Sequence, residues 1–96
     1  MYSSISITEL KKLLGRINII DIRDSYMYNL GNIPTSRNIP INFLLMNKDR
    51  YLDKNKKYYI YCEKGFKSIK ACNELSKAGY DVVNIEGGYS NYKNNF

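Results

Sequence analysis

Tyr58-Tyr59-Ile60-Tyr61-Cys62-Glu63-Lys64-Gly65-Phe66-Lys67-Ser68, followed directly by Ile69-Lys70-Ala71-Cys72-Asn73-Glu74-Leu75, is the stretch that decides the fold. Its first four residues are aromatic or β-branched, the composition of a buried strand. The polar, glycine-containing run from Cys62 to Ser68 cannot continue that strand and reads as a short loop. Ile69, Cys72 and Leu75 then recur at helical spacing, which predicts a helix from Ser68 to Ala78, stopped by Gly79. Ser68 is placed to cap that helix with its hydroxyl. A strand passing into a helix through so short a loop is the repeating unit of an α/β domain.

The unit recurs on either side. Ser6-Ile7-Thr8-Glu9 fits a capping box, Leu10, Leu13 and Leu14 carry helical spacing, and Gly15 stops the helix. Ile17-Asn18-Ile19-Ile20-Asp21-Ile22 is almost continuously apolar, as a strand buried on both faces would be. Asp24 or Ser25 can cap a short helix through Leu30, ended by Gly31. Arg37-Asn38-Ile39-Pro40 reads as a brief strand cut off by proline. Ile41 to Met46 reads as another short helix, with a polar connection after it. Val82-Val83-Asn84-Ile85 is a further strand, and Gly87-Gly88 a tight turn before a last helical turn through Asn94. Alternating strands and helices with short connections predict a mainly parallel sheet, with residues 1–96 forming a single domain.

Composition removes several function classes. A hydrophobic fraction of 44% beside 25% charged residues is that of a folded globular chain rather than a disordered one. No apolar stretch nears the roughly 20 residues that span a bilayer. Met1 to Ser6 lacks the basic and apolar regions of a signal peptide, so a cytoplasmic location and no membrane partner are expected. The net charge of +6 is dispersed along the chain. Its densest run, Lys54-Asn55-Lys56-Lys57, reads as a solvated turn, so no nucleic-acid partner is expected. The chain has two cysteines and no histidine, which removes a Cys-His pair and leaves the usual zinc set incomplete. Neither a metal nor a cofactor is expected.

In a parallel sheet, ligands gather at the carboxyl ends of the strands. Asp21-Ile22-Arg23, the loop after Cys62, and Glu86-Gly87-Gly88 should converge there. A thiol between a strand end and a helix start faces unpaired N–H groups and the positive end of the helix dipole, a setting that favours the thiolate. A mid-strand cysteine would read as core, but this position reads as reactive. Cys72, on one helix face with Ile69 and Leu75, reads as core. Gly87 and Gly88 are assigned to the turn alone.

Taken together, these segments resemble the rhodanese-like domain family over nearly the whole chain. Asp21-Ile22-Arg23 is similar to the family's Asp-Val-Arg. Gly31-Asn32-Ile33-Pro34-Thr35-Ser36-Arg37-Asn38-Ile39-Pro40 is similar to its Gly-His-Ile-Pro-Gly-Ala-x-Asn-Ile-Pro. Tyr61 to Ser68 matches Tyr-Cys-x-x-Gly-x-Arg-Ser except at Lys67, and Glu86-Gly87-Gly88-Tyr89 fits its Gly-Gly-aromatic turn. The resemblance implies a sheet of about five strands flanked by helices on both faces. It also implies a sulfurtransferase in which Cys62 takes a sulfane sulfur from thiosulfate or a related anionic donor. The resulting persulfide would pass its sulfur to a thiol, cyanide or a partner protein of a sulfur relay. The loop of Glu63, Lys64, Gly65, Phe66, Lys67 and Ser68 would hold the persulfide, with Asp21 and Arg23 supporting the site as an ion pair.

The chain departs from the pattern at Lys67, where the family has Arg, and at Asn32, Thr35 and Met27. The last three read as scaffold changes outside the pocket or at its edge. Lys67 offers a point charge in place of a planar fork of donors, which bears on the choice of anionic donor. Two other readings are weighed. Rhodanese-like domains also act as non-catalytic or regulatory binding modules, usually where the cysteine is missing. Phosphatases and arsenate reductases of related fold use a Cys-x5-Arg loop. Here the cation falls one residue earlier, and that shorter loop suits sulfur better than phosphate.

Overall fold

The computed structural model describes residues 1–95. Five strands form one sheet, β1 (Ser3–Ile5), β2 (Asn18–Asp21), β3 (Arg37–Asn38), β4 (Lys57–Tyr61) and β5 (Asp81–Ile85). Their order across the sheet is β1-β5-β4-β2-β3, and every pairing is parallel. The helices are α1 (Ile7–Lys11), α2 (Ser25–Leu30), α3 (Ile41–Met46), α4 (Lys48–Tyr51), α5 (Phe66–Lys77) and α6 (Gly88–Lys93). The α/β architecture read from the sequence is the one the chain adopts.

Alternation along each strand divides the core in two. Ile20, Ile60, Cys62 and Val82 face Leu44 of α3 and Ala71, Cys72 and Leu75 of α5. Ile19, Tyr61 and Ile85 face Ile7 and Leu10 of α1 and Tyr92 of α6. Helices therefore cover both faces, the arrangement that lets a parallel sheet bury nearly continuous apolar strands. Among the described residues no helix is long and apolar enough to cross a membrane.

Four elements differ from the sequence reading. α1 ends at Lys11 rather than running through Leu13 and Leu14 to Gly15, because the chain tightens there into turns with Lys12 N–H on Glu9 O and Leu13 N–H on Leu10 O. β1 was not foreseen, because Ser3-Ser4-Ile5 gains its strand character from pairing with Val83, Asn84 and Ile85. The polar connection after α3 holds the short helix α4. Most consequentially, α5 begins at Phe66 rather than Ser68. Gly65 is its N-cap in the left-handed conformation (φ +97°), which a side chain would resist. Ser68 is therefore not a cap. It lies in the first turn, completely buried, with its hydroxyl turned to other partners.

Candidate active site

β4 is the middle strand and leads straight into Cys62, so the thiol emerges at the carboxyl edge between β5 and β2. Tyr58, Ile60 and Cys62 share one face of the strand, which points the thiol toward α5. There the N–H groups of Gly65 and Ser68 donate to Cys62 Sγ at 3.1 and 3.3 Å. The N–H groups of Lys64, Phe66 and Lys67 carry no hydrogen bond among the described residues. Gly65 in its left-handed conformation turns the chain so that this cluster sits at the start of a 12-residue helix. Such a concavity attracts negative charge on sulfur or on an anion beside it.

Cys62 opens into a cleft of about 320 Å³, lined also by Arg23, Asp24, Met27, Glu63, Lys64, Phe66 and Lys67. Met27 is therefore part of the wall, where the sequence reading placed it at or beyond the edge. Lys64 and Lys67 are exposed, and neither ammonium has a side-chain partner among the described residues. They put two cations beside an apolar wall formed by Met27 and the 78% exposed Phe66.

Arg23 serves a different end. Its side chain is almost fully buried, and it pairs with Asp21 Oδ2 at 2.7 Å and Glu63 Oε1 at 2.9 Å. It also donates to Gly31 O at 2.6 Å and lies 4.4 Å from the Tyr89 ring centroid. Burial alone would make the guanidinium easier to deprotonate, but the bonds to Asp21 and Glu63 overcome it and hold the charge firmly. Burial likewise works against the Glu63 carboxylate, yet donation from Ser90 Oγ at 2.8 Å and from Arg23 keeps it below the usual carboxylate range. Every carboxylate oxygen of Asp21 and Glu63 thus accepts from Arg23 or Ser90.

A second brace comes from α6. Tyr89 N–H donates to Cys62 O and Ser90 N–H to Glu63 O, both at 2.9 Å. A Cβ on Gly88 would collide with Cys62 O and lie 2.7 Å from Glu63 O. Gly88 is therefore needed for more than the turn, because only glycine there lets α6 approach the loop this closely, whereas a Cβ on Gly87 would meet Asn91 of α6 itself. On the far side, Tyr61 accepts from Ile33 N–H at 3.1 Å and shares a bond with Ser36 Oγ at 3.1 Å. Burial pushes its phenol well up, so it stays neutral.

The three segments expected to meet do meet at this edge, with one division: Glu86 lines a separate small cavity behind the loop rather than the Cys62 cleft. Cys72 is completely buried beside Leu75, and burial, with the neighbouring Cys62, pushes its thiol up to about 12. Ile69, read on the same face, is 46% exposed. Sequence reading missed Asn84, Ser90 and the wall position of Met27. Ser68 Oγ lies 2.7 Å from Asn84 Oδ1, and the Cys62 thiol donates to Ser68 Oγ at 3.4 Å. A lone polar residue inside the apolar run of β5 was the available signal.

The family model for the rhodanese-like domain matches residues 6–95 of this chain. The Bacillus subtilis protein YtwF is 34% identical over 70 residues, covering 73% of this chain and 67% of YtwF. A sulfurtransferase of Allochromatium vinosum is 31% identical over 71 residues, 73% of this chain and 65% of that protein. The chain thus spans about two thirds of the length of these curated relatives. The crystal structure of a rhodanese-related protein from Thermoplasma volcanium superimposes with a TM-score of 0.88. It is 32% identical, and the match covers 97% of this chain and 92% of that one.

Proposed function

The chain belongs to the rhodanese-like domain family, and from that premise we propose that it is a sulfurtransferase that carries a sulfane sulfur on Cys62. Residues 1–96 are read as one such domain, although Phe96 lies outside the described residues. The Cys62 thiolate attacks the outer sulfur of thiosulfate, the S–S bond of the donor breaks, and sulfite leaves with the bonding pair. Cys62 is left as a persulfide, Cys62–S–S⁻. A thiolate or cyanide then attacks the terminal sulfur, the new S–S bond breaks, and the Cys62 thiolate is restored. Electrons balance in both halves, and no external oxidant or reductant is required.

The observation that carries this reading is the convergence of the Gly65 and Ser68 N–H groups on Cys62 Sγ, with the N–H groups of Lys64, Phe66 and Lys67 in the same turn free of hydrogen bonds among the described residues. Those donors can hold the inner sulfur while leaving others for the outer one, where the persulfide's charge resides. No general base is needed, which suits a chain without histidine. Lys64 and Lys67 at the mouth draw in the anionic donor, and the open cleft admits a small thiol or a partner protein's cysteine. Thiocyanate formation from thiosulfate and cyanide tests the reading: wild type should turn over and Cys62→Ser should not. Equal turnover by both proteins would refute it.

A further inference from the structure

Asn84 interrupts the otherwise apolar buried run of β5 and is only 3% exposed. Its Oδ1 lies 2.7 Å from Ser68 Oγ, while Gly65 O lies farther from the same hydroxyl, at 3.2 Å. Ser68 has a single hydroxyl proton, and the shorter contact takes it. The lone pairs of Ser68 Oγ are then turned toward Cys62 Sγ, which suits a thiol that donates and opposes a thiolate. Asn84 Nδ2 has no hydrogen bond among the described residues. Asn84 also lines a cavity of about 220 Å³ behind the loop, shared with Ser4, Lys64 and Glu86.

We propose that Asn84 is a positioning residue that turns its amide to match the charge on Cys62. With Cys62 as a thiol, S–H donates to Ser68 Oγ and Ser68 O–H donates to Asn84 Oδ1. When the thiol loses its proton to solvent through the cleft, the Ser68 hydroxyl rotates to donate to Sγ. A half-turn of the amide then brings Nδ2–H to Ser68 Oγ, replacing the bond that the rotation gave up. Each state keeps its polar groups paired, and the small cavity lets solvent meet whichever end of the amide faces away. Leucine would fill the same space with neither function. The inference deepens the sulfurtransferase reading, since the thiolate is the form that attacks the donor.

The charged and titratable groups around Cys62 are Arg23, Asp24, Glu63, Lys64, Lys67 and Cys72, and none is altered by changing Asn84. The test is the pH dependence of Cys62 alkylation by iodoacetamide. In Asn84→Leu the midpoint should rise by about one pH unit, about tenfold slower alkylation below it. In a Ser68→Ala background the same substitution should add nothing, because Asn84 acts through Ser68. An unchanged midpoint in folded Asn84→Leu, or an equal shift without Ser68, would overturn the proposal. Should Asn84→Leu not fold, the side-chain amide resonances of Asn84 in wild type decide: they should track the titration of Cys62, and fixed resonances overturn the proposal. Alkylation needs no sulfur donor, so a protein that fails to transfer sulfur yet shows the shift would count only against the sulfurtransferase reading.

Discussion

Arg23 donates through Nη1 to Glu63 Oε1 at 2.9 Å, which ties the carboxyl end of β2 to the residue directly after Cys62. The same guanidinium holds the fully buried Asp21, and Glu63 in turn accepts from Ser90 of α6. One arginine thus links the sheet, the thiol loop and the last helix. The Cys62 loop keeps its shape because these neighbours leave it little freedom.

Removing that link should be costly. Arg23→Ala strands the Asp21 carboxylate in the interior, and breaking a buried pair by deleting one partner costs about 3–5 kcal/mol. Arg23→Lys should recover only part of this, because a lysine cannot serve Asp21, Glu63 and the Gly31 carbonyl together. Urea denaturation of the three proteins would measure it. An Arg23→Ala protein as stable as wild type would contradict the bracing role.

The two cysteines should separate chemically. Cys72 is completely buried with its thiol pushed up to about 12, so iodoacetamide should modify Cys62 and spare Cys72 in the native protein. The same shift sets a stability trend. Cys72 is released near its ordinary value of about 8.5 in the unfolded chain but holds its proton in the folded one. Its contribution is therefore complete below about pH 8.5 and is lost as pH rises toward 12. Cys72→Ala should flatten that alkaline loss, whatever its effect at neutral pH. An unaltered alkaline slope would speak against it.

Lys67 is an exposed cation with no side-chain partner among the described residues, and its effect on an anionic donor should be modest and sensitive to salt. Lys67→Ala should lower kcat/KM with thiosulfate by roughly fivefold, equivalent to about 1 kcal/mol, and the difference should shrink at high ionic strength. Lys67→Arg should preserve the activity or raise it. Loss of turnover with arginine would show that lysine does more than supply charge.

Thr35 has φ +69°, and it is the described non-glycine residue with a positive φ. A β-branched residue is strained there, by about 1–2 kcal/mol for the left-handed region. Glycine relieves the strain but gives back part of the gain as backbone entropy. Thr35→Gly should therefore stabilise the protein by about 0.5–1 kcal/mol, seen as a higher urea midpoint with an unchanged slope. A lower midpoint would mean that the Thr35 side chain contributes more than its backbone strain costs.

Much of the architecture was legible because apolar runs and two of the glycine stops, Gly31 and Gly79, lie at real boundaries, whereas Gly15 lies beyond the end of α1 at Lys11. Asp24 caps α2 through Met27 N–H at 2.9 Å, and Ser6 caps α1 through Glu9 N–H at 3.2 Å. These are side-chain signals, and sequence carries them openly. The start of α5 was misread because its cap is Gly65, whose contribution is a backbone angle with no side chain to announce it. β1 was missed because Ser3-Ser4-Ile5 has little strand propensity of its own and is set by its neighbour β5. In the candidate site, the place of Cys62 at a strand end was readable. The roles of Gly88 and Ser90 were not, because they arise from α6 folding back on the loop across more than twenty residues of chain.

The central claim is that Cys62 accepts a sulfane sulfur, and intact-protein mass spectrometry after incubation with thiosulfate tests it most directly. Wild type should gain the mass of one sulfur atom, lose it again on adding cyanide, and show neither change as Cys62→Ser. A wild-type protein that remains unmodified by thiosulfate and by other sulfane donors would contradict the account.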